Sequence, residues 1–359
     1  MTGKPMRTWA VALVLLGCDA GDGGGAEEFD AQVADAGVDA ALDAAPPLDE
    51  GPDGQAADAA APDAAPIPPD VGPDAEPPAP ACAAFSPPET TGTLADPRLG
   101  EVSGIAASRQ SPGVLWLHND SGDDAVLYAT GEDGAALGRL TLPGAGVLDL
   151  EDVATARCPG LDDWCLWVAD VGDNARNRPA VAIYAVREPA VAGPFAPRDA
   201  ELVQRFVVRY PDGAPHDAEA LAVAPAGDRF WLFTKVEGTD PQVYAWDTAS
   251  PGPGPLTDLG SFPAPGVPVP MGKMVTGADL DATGTRLALR VYTGSYEYTL
   301  PTPADLSGLA DLAPRTIAVG PLSEPQGEAI AYSADGRAVW TVSEDPAGGQ
   351  PLHRYTCRE

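Results

Sequence analysis

The residues from 82 to 359 repeat one pattern five times, with a period of about 50 to 60 residues, and this repeat constrains the fold most strongly. Each copy begins with a short strand of small residues, continues with an apolar strand, and has a tyrosine in its third strand. The apolar strands contain Trp116, Trp167, Trp231 and Trp340, the fourth copy has Ala288 instead, and the tyrosines are Tyr128, Tyr184, Tyr244, Tyr298 and Tyr355.

Repeats of this kind are typical of β-propellers, in which each copy folds into a four-stranded blade. Small residues suit the crowded strands near the axis, and aromatic residues pack between blades. We therefore predict an all-β, five-bladed propeller over residues 82–359. The last copy has no fourth strand of its own. We expect an N-terminal strand near residues 91–94 to supply it, which closes the ring and hides sheet edges.

Two other folds are compatible with the same pattern. A six-bladed propeller would result if residues 249–276 or 300–320 contain additional strands. A β-sandwich with aromatic residues at unrelated positions is the second alternative.

The beginning of the sequence has the features of an export signal. Lys4 and Arg7 precede an apolar run over residues 9–16, which is shorter than the about 20 residues of a membrane span. The run ends in Leu-Leu-Gly-Cys18, which resembles the lipobox of bacterial lipoproteins. We expect a signal peptide over residues 1–18 and lipidation of Cys18, which would anchor the protein in the membrane. The alternative is an ordinary signal peptide with an unrelated cysteine.

Residues 19–81 are rich in Ala, Asp, Pro and Gly and contain no Lys or Arg. Such a segment has too little apolar surface to offset its ordering entropy, and its negative charges repel one another. We predict a disordered acidic linker between the lipid anchor and the propeller. The expected location is the cell envelope, either periplasmic or at the cell surface.

The chain has 53 acidic and 21 basic residues and a formal net charge of −32 at pH 7. A nucleic-acid partner is not expected, because proteins that bind nucleic acids present basic surfaces. The expected partners, besides the membrane, are a small polar ligand or a surface protein. We expect the propeller to be a monomer.

Four cysteines remain besides Cys18, and export to an oxidising compartment favours two disulfides. Cys158 and Cys165 flank a turn-like segment, so we predict that they close a small hairpin loop. A bond between Cys82 and Cys357 would join the start of the domain to its end. Free thiols or a zinc site are the alternatives, and zinc is disfavoured because the sequence has no CxxC pair.

Polar side chains recur at two places in the copies, at the start of the first strand and after the second strand. Since neighbouring strands of a blade run in opposite directions, these places lie at the same end of the ring. Charged groups that converge at the mouth of a propeller suit a polar ligand. The candidate ligand-binding residues are Asn119, Asp120, Glu151, Asp170, Asp173, Glu219, Lys235, Arg290, Tyr292, Glu328 and Glu344. Alternatively, the glutamates hydrogen-bond neighbouring backbone and only connect the blades.

Two similar turns follow the second strand of the first two copies, Asp120-Ser-Gly-Asp123 and Asp170-Val-Gly-Asp173. Their four aspartates are candidate ligands for calcium, which binds several oxygen atoms at flexible distances. Alternatively, they are Asx turns in which the side chains accept backbone hydrogen bonds. Calcium is the one cofactor that the sequence suggests. The common hydrolase and nucleotide-binding motifs are absent.

The segments over residues 116–123, 150–154, 171–174 and 276–279 resemble a group of secreted bacterial β-propeller proteins, and more distantly the phytase-like or esterase-like propellers. The resemblance implies the fold better than an activity.

Two functions therefore remain open. The first is a non-enzymatic module that binds a polar ligand or a protein partner at the axial face. The second is a calcium-assisted, phosphoesterase-like hydrolase. In the hydrolase, Asp120, Asp170, Glu151, Glu219 and Glu328 would hold the metal, and Lys235 and Arg290 would stabilise phosphate charge.

Overall fold

The computed structural model describes residues 82–120, 125–142, 146, 149–250, 252–319, 324, 327–344 and 349–358. The predicted signal peptide, the lipidation site Cys18, the acidic linker and Asp123 lie outside the described residues. Within the described ranges, no helix is long and apolar enough to cross a membrane.

Short β-strands separated by turns account for most of the described residues, as the sequence pattern predicts. In chain order the strands are β1 (Ala84–Phe85), β2 (Glu89–Thr93), β3 (Val102–Ala107), β4 (Val114–Asn119), β5 (Val126–Gly131), β6 (Ala136–Thr141), β7 (Leu150–Arg157), β8 (Trp164–Asp170), β9 (Val181–Arg187), β10 (Arg198–Asp199), β11 (Leu202–Arg209), β12 (Ala218–Val223), β13 (Arg229–Thr234), β14 (Gln242–Asp247), β15 (Gly254–Pro255), β16 (Thr257–Ser261), β17 (Val275–Leu280), β18 (Arg286–Val291), β19 (Gly294–Thr299), β20 (Arg315–Val319), β21 (Gly327–Tyr332), β22 (Ala338–Ser343) and β23 (Pro351–Arg358). A single turn of 3₁₀ helix spans Leu309–Asp311.

These strands form five sheets, which are the blades of the propeller. Blade 1 consists of β3 to β6, with β10 parallel to its outer edge, and blade 2 consists of β7, β8, β9 and β11, with β15 at its edge. Blade 3 consists of β12, β13, β14 and β16, and blade 4 consists of β17 to β20. Blade 5 combines β21 to β23 with β1 and β2. The predicted five-bladed propeller is confirmed.

The two ends of the domain close the ring together. The first strands of the blades contact one another in the order β3, β7, β12, β17 and β21, and β21 contacts β3 again. Both N-terminal strands pair with β23 near the C-terminus, so the predicted N-terminal closing strand is confirmed. The predicted disulfide between Cys82 and Cys357 lies at this closure, with 5.2 Å between the Cα atoms.

The six-bladed alternative is wrong. Residues 249–276 and 300–320 do contain strands, but β16 and β20 are the fourth strands of blades 3 and 4. The short strand β15 extends the outer edge of blade 2.

In four of the five blades, a tryptophan at the centre of the second strand is buried between blades. Trp116, Trp167, Trp231 and Trp340 are all almost completely buried. In blade 4 the small Ala288 belongs to a core cluster that contains the buried Tyr332 of the next blade. The aromatic ring that the repeat pattern lacks at Ala288 is therefore supplied from a neighbouring strand.

Near the axis, buried aspartates connect the first strands of different blades. The Asp152 carboxylate of blade 2 accepts hydrogen bonds from the backbone N–H of Leu221 in blade 3, at 2.9 Å, and of Ala278 in blade 4, at 3.1 Å. Asp279 accepts one from the N–H of Tyr332 in blade 5, at 2.8 Å. These side chains satisfy backbone donors that the sheets leave unpaired at the centre.

The second predicted disulfide, between Cys158 and Cys165, is also confirmed and joins the hairpin between β7 and β8. Two disulfides in one domain indicate an oxidising, extracytoplasmic compartment.

Candidate ligand-binding mouth

In every blade the start of the first strand pairs with the end of the second strand. The pairs are Val102 with Asn119, Leu150 with Asp170, Ala218 with Thr234, Val275 with Val291, and Gly327 with Ser343. Since the first strands surround the axis, these pairs lie at one end of the ring, which we call the axial mouth. The sequence analysis expected polar residues at this end.

Each blade has a β-bulge directly after this first pair, and the bulge inserts one extra residue into the first strand. The inserted residues of blades 1 to 5 are, in order, Ser103, Glu151, Glu219, Thr276 and Glu328. A bulge redirects a side chain away from the regular alternation of a strand, and bulges are common beside functional sites. Here the bulges bring one polar residue of each blade to the mouth.

The hydroxyl residues and the glutamates of this set have different roles. Ser103 Oγ donates to the carbonyl of Glu151, and Thr276 Oγ1 donates to the carbonyl of Gly327, both at 2.8 Å. These two residues connect neighbouring blades. Within the part of the chain that the structure describes, both buried carboxylate oxygens of Glu151 and the buried Glu328 Oε2 have no hydrogen-bond partner. Two of the three glutamates therefore present unpaired acceptors.

Glu219 is the glutamate whose charge is compensated. Lys235 Nζ lies 2.8 Å from Glu219 Oε1 and 5.2 Å from the ring centroid of Tyr292. Burial lowers the pKa of Lys235. The electrostatic effects of the nearby Glu219 carboxylate and of the Tyr292 and Glu328 side chains are stronger than this, so the pKa lies above its usual range. Lys235 is therefore a positively charged residue inside an acidic mouth.

Asp120, Asp149 and Glu151 form a tight carboxylate cluster, in which one oxygen from each residue lies within 4.8 Å of the others. Asp149 Oδ1 is also buried without a hydrogen-bond partner. Glu151 is 1 % exposed. The cluster combines close negative charges with little solvent.

Burial shifts the titration of this region. It raises the pKa of Glu151 well above its usual range, and the nearby carboxylates of Glu219 and Asp120 raise it further. Burial, followed by the charge of Asp120, raises the pKa of Asp149 to about 6. Burial also raises the pKa of Glu328 to about 7, although Lys235 opposes this shift. The mouth would thus be stabilised by a bound cation or by hydrogen-bond donors of a ligand.

The turn from Asp170 to Asp173 supports the mouth through local contacts. Asp173 accepts backbone hydrogen bonds from Asn177 at 2.9 Å and from Arg178 at 2.7 Å. Arg178 Nη2 pairs with Asp170 Oδ1 at 2.8 Å, and the same oxygen accepts the N–H of Asp149 at 3.0 Å. Asp173 thus holds the backbone of the loop that follows it, and Asp170 positions Asp149. The carboxylate cluster includes neither of them.

Arg290 forms its ion pair with a different carboxylate from Lys235. Its guanidinium is 2 % exposed and pairs with Glu324 at 2.6 Å, and its Nη1 donates to Ser295 Oγ at 2.7 Å. Gly327 allows this placement, because a Cβ there would collide with the guanidinium. Arg290 therefore joins blades 4 and 5.

The last two predicted residues lie at the rim. Asn119 Nδ2 donates to the carbonyl of Arg98 at 2.7 Å, which fixes the segment before β3. Burial raises the pKa of Glu344, and the charge of Asp120 raises it further, so this carboxyl group faces the same acidic region.

Sequence analysis missed Asp149, Asp217 and Arg178. A signal for the first two was present, because Asp149-Leu-Glu151 and Asp217-Ala-Glu219 have the same Asp-x-Glu spacing at equivalent positions of blades 2 and 3. Arg178 had no such signal, since it lies in a connection between the second and third strands that is longer than in the other copies.

No protein-family model matches the chain, and no curated protein matches it. One similar solved structure is a PQQ-bound aldose sugar dehydrogenase from Streptomyces coelicolor, at 14 % identity and a TM-score of 0.42, covering 77 % of this chain and 99 % of that chain. Another is a gluconolactonase from Xanthomonas campestris, at 14 % identity and a TM-score of 0.37, covering 72 % of each chain. Similarity at this level carries no argument about activity.

Proposed function

We propose that this propeller is a binding module of the cell envelope that takes a small polar ligand at its axial mouth. The observation that carries the proposal is the set of bulge glutamates Glu151, Glu219 and Glu328, which three blades present at the mouth together with the ammonium group of Lys235.

Buried carboxylate oxygens without partners are costly, at about 1 to 3 kcal/mol for an unsatisfied group and more for a charged one. A ring that keeps such oxygens at the axial mouth is suited to a ligand that supplies hydrogen-bond donors or positive charge. Hydroxyl-rich or amine-bearing small molecules have this chemistry. A polar patch of a surface protein is the alternative occupant.

The proposal is tested by thermal-shift measurements on the full-length protein with a panel of monosaccharides, polyols, amino acids and polyamines. We expect at least one class to raise the Tm in a saturable way. Glu328→Gln should weaken this effect at least about 10-fold, because one lost charge-assisted hydrogen bond contributes about 1.5 to 3 kcal/mol.

Glu89→Gln is the matched control, since Glu89 is an exposed residue of β2 at the outer edge of blade 5. The proposal fails if no compound in the panel binds, or if Glu328→Gln and the control respond equally.

A calcium-assisted, phosphoesterase-like hydrolase is the second candidate function. The carboxylate cluster of Asp120, Asp149 and Glu151 favours it, because the charge of Lys235 acts on the same Glu151. Hydrolysis of p-nitrophenyl phosphate and p-nitrophenyl acetate, each with calcium and with EDTA, tests this function. Absence of calcium-dependent turnover on both substrates would remove it.

We also propose that a lipid on Cys18 and the linker over residues 19–81 hold the propeller at the membrane. Metabolic labelling with an alkyne fatty acid should label the wild-type chain and not Cys18→Ser. Equal labelling of the two chains would contradict the anchor.

A further inference from the structure

Blades 2 and 3 have the same backbone arrangement at the mouth. In blade 3 the N–H of Lys235 donates to the carbonyl of Asp217 at 2.9 Å, and in blade 2 the N–H of Gly172 donates to the carbonyl of Asp149 at 3.3 Å. Asp149 and Glu151 are the counterparts of Asp217 and Glu219. Val171 is the counterpart of Lys235, because Asp170 and Thr234 end the second strands at equivalent positions, and Gly172 is the next residue along the chain.

The two blades differ in where the positive charge comes from. In blade 3 the Lys235 ammonium group lies 2.8 Å from the Glu219 carboxylate. In blade 2 the equivalent position holds the buried, apolar Val171, and the next residue, Gly172, has no side chain. A Cβ on Gly172 would lie 2.0 Å from Glu151 Oε1 and 2.5 Å from Asp149 Oδ2, so these carboxylates occupy the space that a side chain would need.

Among the described residues, no group donates a hydrogen bond to the carboxylate of the blade 2 glutamate. Glu151 is 1 % exposed, and both of its carboxylate oxygens are buried without a hydrogen bond. It points into a group in which Asp120 and Asp149 approach it to within 4.8 Å. A fully buried carboxylate beside two further carboxylates indicates that a positive charge belongs at this place.

We propose that Asp120, Asp149 and Glu151 bind one divalent cation of the oxygen-preferring class, with Ca²⁺ as the expected ion. The cation would compensate the charge of Glu151 in blade 2, as the Lys235 ammonium group compensates the charge of Glu219 in blade 3. Calcium binds oxygen ligands at about 2.3 to 2.6 Å, so two oxygens on opposite sides of one ion are about 5 Å apart, which matches the spread of the cluster. Carboxylate ligands without Cys or His disfavour zinc and copper.

Neighbouring residues hold two of the three ligands in position. Asp170, fixed by Arg178, accepts the N–H of Asp149, and the bare backbone of Gly172 lets both carboxylates approach. We assign Asp170 as a positioning residue for this cation. The assignment does not depend on the polar ligand proposed above, since the cation site is complete without it.

Calorimetric titration of the chelator-treated, full-length protein with CaCl₂ tests the proposal, together with the Tm in EDTA and in calcium. The wild type should bind one Ca²⁺ with a Kd of about 10⁻⁶ to 10⁻³ M and gain thermal stability. Glu151→Gln should bind at least about 10-fold more weakly and lose the calcium-dependent rise in Tm.

The Tm of Glu151→Gln in EDTA distinguishes a lost ligand from a damaged fold. It should equal or exceed that of the wild type in EDTA, because the substitution removes an unpaired buried charge. Asp170→Asn should weaken calcium binding by about 10- to 100-fold without removing a ligand, as expected for a positioning residue. The exposed Glu89→Gln is the control for the loss of one negative charge and should bind calcium like the wild type.

Absence of saturable binding of Ca²⁺, Mg²⁺ and Mn²⁺ to the wild type would overturn the proposal. So would a Glu151→Gln protein that binds calcium as tightly as the wild type. A response of the wild type to the ligand panel without any cation binding would overturn this inference and leave the proposed ligand site standing.

Discussion

Asp152 shows how much one side chain can contribute at the axis of a propeller. Its carboxylate accepts the backbone N–H groups of Leu221 and Ala278, which belong to two other blades, and of its own neighbour Val153 at 2.8 Å. All of these donors are buried, so no water can replace the lost acceptor. One residue therefore holds three blades together at the point where their strands are most crowded.

Replacing Asp152 tests this role. Asp152→Ala should lower the free energy of unfolding by at least about 3 kcal/mol, because three buried donors lose their partner at about 1 to 3 kcal/mol each. Asp152→Asn keeps one acceptor oxygen and should lose about half as much. Urea unfolding followed by fluorescence of the buried tryptophans measures both values. Equal stability of Asp152→Ala and the wild type would show that the blades do not depend on this carboxylate.

Asp279 predicts a pH dependence. Burial raises its pKa from 3.8 to about 7, although its hydrogen bond from Tyr332 and the charge of Arg109 oppose this shift. Because the folded-state pKa is above the unfolded value, the folded protein binds the proton more tightly. Proton binding to Asp279 therefore stabilises the folded protein. This contribution is fully present below about pH 4 and is lost as the pH rises to about 7.

Asp279→Asn removes this titration and keeps an oxygen that can accept the N–H of Tyr332. At pH 7.5 it should be more stable than the wild type by on the order of 4 kcal/mol, and the difference should vanish at pH 4. Thermal unfolding of both proteins from pH 4 to 8, in EDTA, measures the effect. A constant difference across this range would contradict the predicted titration.

At the scale of elements, the bulge in each first strand is the feature that builds the mouth. Three blades use the inserted residue to present a glutamate, and two use it to connect to the next blade. The hydroxyl of Thr276 is buried and donates to the carbonyl of Gly327 in blade 5. In blades 1 and 4 the inserted residue thus connects the blade to the next one by a hydrogen bond.

Thr276→Val preserves the shape of the side chain and removes this hydrogen bond. The expected loss is about 1 kcal/mol, equivalent to about 2 to 4 °C in Tm. Ser103→Ala removes the matching bond of blade 1 and should cost a similar amount. The double variant should lose the sum of the two, since the two bonds share no residue. A loss well above the sum would show that these contacts cooperate around the ring.

The strands could be predicted from the sequence because packing between blades demands an aromatic residue at a fixed place in every copy. The departure at Ala288 was visible, but its compensation by Tyr332 was not, since the two residues meet only after folding. For the mouth, the repeat position predicted Glu151, Glu219 and Glu328. Sequence spacing could not show that a bulge redirects them.

The sequence predicted the positions of the charged residues better than their partners. Lys235 and Arg290 follow equivalent strands, but only Lys235 pairs with a bulge glutamate. The partners that decide such roles, Glu324 for Arg290 and Arg178 for Asp170, come from irregular segments between strands. These segments do not follow the repeat, so the repeat pattern cannot predict which residues they contact.

At the scale of the whole molecule, blade 5 is the one sheet built from both ends of the domain. Its strand β23 pairs with β22 on one side and with the N-terminal β1 and β2 on the other. The ring is closed there by hydrogen bonds and by the disulfide between Cys82 and Cys357, which are separated by 275 residues. The hairpin disulfide between Cys158 and Cys165 spans only 7 residues within blade 2.

The two disulfides should therefore differ in their effect on stability. In the chain-entropy description, a bridge stabilises by restricting the unfolded chain, by at most about 5 to 6 kcal/mol for the long loop and about 2 kcal/mol for the short one. The variant Cys82→Ser, Cys357→Ser should thus lose more in Tm than Cys158→Ser, Cys165→Ser. Thermal unfolding of the two variants beside the wild type measures the difference. Limited proteolysis should cut the first variant near β1 and β2, because their hold on β23 then depends on hydrogen bonds alone. An equal or smaller loss for the long bridge would mean that the paired strands close the ring without help from the covalent link.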